Sequence, residues 1–216
     1  MVENGKDIAQ SDKLKNARRH PFYHLHRHIS WHLTRALLRA SVSANSATGL
    51  MVFVWILGVT LLVTPLGIFT PFLLYLSFLL DKCDGEISRV MQTESKLGAY
   101  VDEIFHLFSV PTLLVAIFFS QDSRGSFALP ALAIFFYCGL KYERKVHHKY
   151  SNSQFSIGST LPEWFAQDDV LILTLLLCLM FEAPKIFLFY CVFFFALALL
   201  FRIGWSLGKF LWKRGG

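Results

Sequence analysis

Between residues 81 and 106 the chain reads DKCDGEISRVMQTESKLGAYVDEIFH. Three aspartates (Asp81, Asp84, Asp102), Arg89, His106 and two glycines (Gly85, Gly98) fall here, in a sequence otherwise apolar enough to cross a bilayer. Ionisable side chains in that setting are costly and face a protein interior or a watery cavity, so they mark a functional site. On a helix turning 100° per residue, Asp81, Asp84, Gly85, Ser88 and Arg89 share one arc of about 140°. Gly98, Asp102 and His106 are spaced i, i+4, i+8 and form one stripe on the next helix. If the two faces oppose each other, three carboxylates and an imidazole converge. Carboxylates held that close cannot all stay ionised in a low-dielectric site without a cation, and hard oxygen donors suit Mg²⁺ or Mn²⁺. Such an ion would polarise a phosphoryl group and orient an attacking hydroxyl. Arg89 offers a rigid fork for phosphate oxygens. Gly85 and Gly98 remove side chains where two backbones, or a backbone and a bound molecule, must come close. An ordinary ion pair, for instance Asp84 with Arg89, would explain two of these residues and none of the others.

The elements that must position them follow from composition. At 54% hydrophobic residues and a mean hydropathy of +0.46, the chain is too apolar for a soluble domain and reads as an all-α membrane protein. Apolar runs at Gly49–Pro65, Gly67–Leu80, Leu97–Phe119, Phe127–Leu140, Val170–Phe181 and Ile186–Phe201 predict six transmembrane helices. Most reach the roughly 20 residues of a spanning helix only with their flanks. Gly67–Leu80 cannot cross alone, so the second helix must carry Asp81, Asp84 and Gly85 near one membrane face. With a cytoplasmic N-terminus, only Arg124 and Lys185 of the 21 basic residues fall outside, which is the positive-inside bias. Both termini and the 81–106 segment then face the cytoplasm, in a multi-pass protein of the cell's inner membrane. Anionic lipid of the inner leaflet accounts for the net charge of +6, and no nucleic acid is implied. The four cysteines show no metal-binding spacing and read as packing residues.

Residues 1–20 read as a polar tail and 21–44 as an amphipathic juxtamembrane helix, followed by the six-helix domain over 45–216. On the amphipathic helix, Phe22, Leu25, Ile29, Leu33, Ala36 and Leu37 form the apolar face, opposite His24, His28, His32, Arg35 and Arg39. The histidine stripe is either an interfacial polar face or a metal site. Asn45, where the first span opens, reads as an N-cap and as a ligand-side residue, two compatible roles. Lys141–Pro162, with Glu143, Arg144 and Lys145, reads as a solvated charged loop that continues to Glu163, Asp168 and Asp169. Arg144 or Lys145 could meet an anionic acceptor there. No signal peptide is expected, because the first 44 residues lack an apolar core segment.

The order Asp81-x2-Asp84-Gly85-x2-Ser88-Arg89-x8-Gly98-x3-Asp102-x3-His106 closely resembles the signature of the CDP-alcohol phosphatidyltransferase family. The family has alanine where this chain has Ser88, and a final aspartate where it has His106. Ser43–Thr48 also resembles the family's Pro-Asn-x-x-Thr segment, with Ala44 in place of proline. The layout is most similar to the small prokaryotic members. The resemblance implies metal-dependent transfer of a substituted phosphoryl group from a CDP-linked alcohol or lipid to an acceptor hydroxyl, with release of CMP. It implies Asp81, Asp84 and Asp102 as metal ligands, Gly85 and Arg89 at the CDP moiety, and a base at the position of His106. Imidazole suits a base near neutral pH. The alternative is a catalytically silent relative that binds CDP-lipid or a membrane partner. A transporter is the third reading, against which the charges cluster near one side of two helices. The resemblance further implies a homodimer, for which Phe187, Phe189, Phe193, Phe194 and Phe195 offer packing surface. A C-terminal reporter fusion is expected to be active only on the cytoplasmic side; activity confined to the outer side would overturn the orientation.

Overall fold

The computed structural model describes residues 21–93, 95–120, 127–151, 165, 168–181 and 183–212. The expected polar tail 1–20, Arg124, Glu163 and the side chains of Phe22, His24, Arg144, Asp168 and Asp169 lie outside the described residues. The helices are α1 (Pro21–Arg39), α2 (Ala44–Leu62), α3 (Thr70–Met91), α4 (Lys96–Ser120), α5 (Ala128–Ser151), α6 (Asp168–Met180) and α7 (Pro184–Trp212), with a 3₁₀ turn at Pro65–Phe69. Among the described residues no strand occurs, and the architecture is the all-α membrane class the composition demanded. Two compact units divide within α4, between Ser109 and Val110.

Four helical stretches among the described residues are long and apolar enough to cross a membrane: Ala44–Leu62, Pro65–Met91, Lys96–Ser120 and Pro184–Ser206. Val170–Met180 is apolar but shorter, and α5 is apolar only as far as Leu140. α3 does run unbroken through Asp81, Asp84 and Gly85, as the shortness of Gly67–Leu80 required.

In the first unit α2 and α1 both pack on α3. Hydroxyls on α3 stitch it to α2: Thr70 Oγ1 donates to the Gly58 carbonyl at 3.1 Å and Ser77 Oγ to the Met51 carbonyl at 2.9 Å. Gly58 permits that approach, since a Cβ there would lie 3.1 Å from Leu74 Cδ2 and 3.2 Å from Leu73 Cβ. Below, Met51, Val54 and Leu80 form one buried cluster and Ala47, Cys83 and Ile87 another, both covered by Leu33 and Leu37 of α1.

α1 departs from the expected two-faced helix. Its buried arc holds His26, Ser30 and Thr34, at 3%, 0% and 0% exposure, while the apolar Leu25 and Ile29 are exposed. The helix therefore has three faces: a docked one in which His26, Ser30 and Thr34 join Leu33 and Leu37, an exposed apolar one with Leu25 and Ile29, and the His28, His32, Arg35 and Arg39 face. Pattern reading found the last two and missed the first, because buried Ser and Thr carry no hydrophobic signal.

In the second unit α5 and α6 pack on α7. Lys141–Ser151 is not a loop but the last turns of α5. Glu143, expected to be solvated, pairs with the buried Arg202 of α7 and accepts from Ser206 Oγ at 2.8 Å. That pairing satisfies two charges brought together by the helices. Of the α7 phenylalanines proposed for subunit packing, Phe187 and Phe195 are buried within the unit, and Phe194 stacks on Phe165. Only Phe189 and Phe193 are left as large exposed rings among those five.

Because Gly58 sets the α2–α3 distance, Gly58→Leu is expected to lower stability by about 1–3 kcal/mol through overpacking. Thermal unfolding in mild detergent checks this; an unchanged midpoint would mean that the helices separate without cost.

Candidate active site

α3 ends where Gln92 adopts a left-handed conformation (φ 52°), and the Gln92 and Thr93 amides both bond back to the Ser88 carbonyl. Ser95 then caps α4, its Oγ accepting from the Gly98 amide at 2.9 Å. This tight reversal folds the two halves of the 81–106 segment face to face.

Across from them, Ser43 caps α2, its Oγ accepting from the Ser46 amide at 3.2 Å. Asn45 is therefore not the N-cap; it lies inside the first turn, and its side chain is released toward α4. A Cβ on Gly98 would stand 3.4 Å from Asn45 Oδ1 and 3.0 Å from Ser95 Oγ. Gly98 thus leaves room for Asn45. Gly85 leaves room for Arg89, whose guanidinium Nη1 lies 3.3 Å from where a Gly85 Cβ would be.

A cavity of about 220 Å³ opens between these elements, lined by Asn45 and Thr48 from α2, Asp84, Gly85, Ser88 and Arg89 from α3, and Gly98 and Asp102 from α4, with Thr93 and Ser95 at its turn. Four predicted ligand-side residues (Asn45, Gly85, Arg89 and Gly98) and two predicted carboxylates (Asp84 and Asp102) meet there. Asp81 and His106 are set beside it. His106 Nε2 lies 3.2 Å from Asp81 Oδ1 and 3.3 Å from Asp102 Oδ1. Ligand atoms of Asp81, Asp102 and His106 all fall within 4.8 Å of one another, a spacing one cation could bridge. Asp102 belongs to both groups and joins the cavity to the cluster. The donor set of hard carboxylate oxygens with one imidazole nitrogen fits a divalent ion such as Mn²⁺ or Mg²⁺.

Neighbouring groups hold the carboxylates in place. Thr48 Oγ1 donates to Asp84 Oδ2 at 2.8 Å, and Lys82 Nζ lies 3.3 Å from Asp81 Oδ2. Trp55 meets Phe105 edge-on, which packs the helix face next to His106. Sequence reasoning placed Thr48 only within a resembling segment and gave it no contact. Its spacing of three from Asn45 was the available signal. Glu86, at 4% exposure, had no assigned role.

A family model for CDP-alcohol phosphatidyltransferase matches residues 41–149, half of the chain. The chain belongs to the CDP-alcohol phosphatidyltransferase family. The match runs from the turn before α2 through α3 and α4 to α5, so it takes in every residue of the cavity and of the Asp81–Asp102–His106 group. No curated protein matches the chain. The family and the four apolar helices among the described residues together make this a multi-pass membrane protein.

Proposed function

We propose that the chain transfers a substituted phosphoryl group from a CDP-linked alcohol or lipid to an acceptor hydroxyl and releases CMP, as a step of phospholipid or related phosphodiester synthesis at the cytoplasmic face of the membrane. One observation carries this reading: Asp102 is shared between a cavity with Arg89, Asn45 and two close-approach glycines and a cluster able to hold a divalent ion.

In this reading Asp81 and Asp102 of that cluster, with Asp84 from the cavity, would hold Mg²⁺ or Mn²⁺, leaving His106 as base rather than ligand, and the ion would neutralise diphosphate charge. Arg89 binds phosphate oxygens with its guanidinium fork. Gly85, Gly98 and Asn45 shape the nucleotide side. The acceptor hydroxyl attacks the phosphorus distal to cytidine. A new P–O bond forms, the bond to the bridging oxygen breaks, and CMP leaves with that electron pair. The hydroxyl proton passes to Nδ1 of His106, because Nε2 carries the hydrogen shared with Asp81 and Asp102, and those carboxylates stabilise the resulting positive charge.

Changing Asp81, Asp84 or Asp102 to Asn is expected to abolish Mg²⁺- or Mn²⁺-dependent CMP release from CDP-alcohols while thermal unfolding shows a folded protein. Full activity in Asp84→Asn would remove the assignment.

The histidine contacts also favour a second reading. An imidazole bridging two carboxylates can occupy the place of a cation, leaving a chain that binds CDP-lipid without turnover. His106→Ala should lower turnover by roughly 10²–10⁴-fold if histidine is the base, and His106→Asp should retain activity. Absent turnover in the wild type with turnover gained in His106→Asp would select the silent relative. Wild-type rates in His106→Ala would place the base elsewhere.

A further inference from the structure

Glu86 follows Gly85 directly, yet it points away from the cavity. At 100° per residue it sits about 200° around α3 from Asp84. It is 4% exposed, and its partners come from α1. Ser30 Oγ donates to Oε1 at 3.0 Å, Thr34 Oγ1 donates to Oε2 at 2.5 Å, and Arg27 Nε lies 3.2 Å from Oε1. One turn earlier on α3, Cys83 Sγ reaches the Ser30 carbonyl at 3.5 Å. Ser30 and Thr34 are fully buried.

Adhesion alone does not call for such a cluster. Leu33, Leu37 and Leu38 already pack against Ala47, Cys83 and Ile87, and apolar residues in place of a buried charged pair are often as stabilising or more so. What directional bonds add is a defined rotation and axial register, since both carboxylate oxygens are engaged by donors one helical turn apart. Leu contacts tolerate sliding; this geometry does not. Asp84 and Gly85 lie on the same rigid turn, so any rotation at Glu86 is passed to them undiminished. Misplacement of reacting groups by about 1 Å can cost roughly 10²-fold in rate.

We infer that Glu86 is a positioning residue: through Arg27, Ser30 and Thr34 it makes α1 a rear brace that sets the orientation of Asp81, Asp84 and Arg89 on α3. The functional half of this inference rests on the transfer reaction proposed above; the structural half does not. The brace acts through the helix and touches neither substrate nor metal.

The test uses full-length protein in nanodiscs, comparing wild type with Glu86→Gln, Thr34→Val and Arg27→Gln. CMP release gives kcat and the donor KM. Hydrogen exchange followed by mass spectrometry gives protection of segment 81–106 and, separately, of α1. The brace predicts at least a tenfold fall in kcat with donor KM changed less than threefold. It also predicts faster exchange across 81–106, and effects of Thr34→Val that do not add to those of Glu86→Gln. If Glu86→Gln does not fold, Thr34→Val and Arg27→Gln carry the same comparison. Wild-type kcat in folded variants, or faster exchange confined to α1, overturns the inference. Should the wild type itself release no CMP, the transfer reading fails, and the exchange pattern alone decides the brace.

Discussion

Charged side chains in a spanning helix are costly unless they are paired or face a watery cavity, and α3 carries Asp81, Lys82, Asp84, Glu86 and Arg89 within nine residues near its end. The first unit is organised around making that helix tolerable. α1 answers Glu86 with two hydroxyls and a guanidinium. α2 answers Asp84 with Thr48, and α4 answers Asp81 with His106. Three neighbouring helices are thereby tied to one, each by a polar contact that hydrophobic packing alone would not specify.

The two sides of α3 are treated differently. At the back, Glu86 has both oxygens engaged by protein donors and almost no exposure, a closed arrangement with nothing left for a ligand. At the front, Asp84 lines an open cavity and the Asp102 side chain is 45% exposed, so carboxylate oxygens retain acceptor capacity. Saturated charge needs nothing more; carboxylate oxygens with spare acceptor capacity can take a cation. If the front carboxylates hold a metal, as proposed, its definition rests on the elements behind them.

His106 gives this family member its individual character. Where the family signature has an acid, this chain has a group that can accept a proton, donate to two carboxylates or offer a nitrogen to a metal. Its ring nitrogen lies between Asp81 and Asp102, so whichever role it takes is coupled to the charge on both. An aspartate there would repel them unless a cation intervened. Histidine relaxes that demand, which bears on metal dependence as much as on proton transfer.

Much of this was legible in residue types and spacing. The all-α membrane class followed from apolar runs, the continuation of α3 into Asp81 and Asp84 from the shortness of Gly67–Leu80, and the convergence of Asn45, Asp84, Gly85, Arg89, Gly98 and Asp102 from helical periodicity and a family signature. These are local properties: hydropathy, a 100° repeat and motif order do not depend on what packs where. Other features depended on long-range partners. That Ser43, and not Asn45, caps α2 was decided by backbone geometry. Whether Glu143 is solvated was decided by Arg202, 59 residues away. That α1 docks by a polar stripe was decided by Glu86, whose partners Ser30 and Thr34 lie 56 and 52 residues before it. A buried polar residue looks in the sequence like an exposed one. Only the tertiary structure supplies the donor that makes burying it affordable.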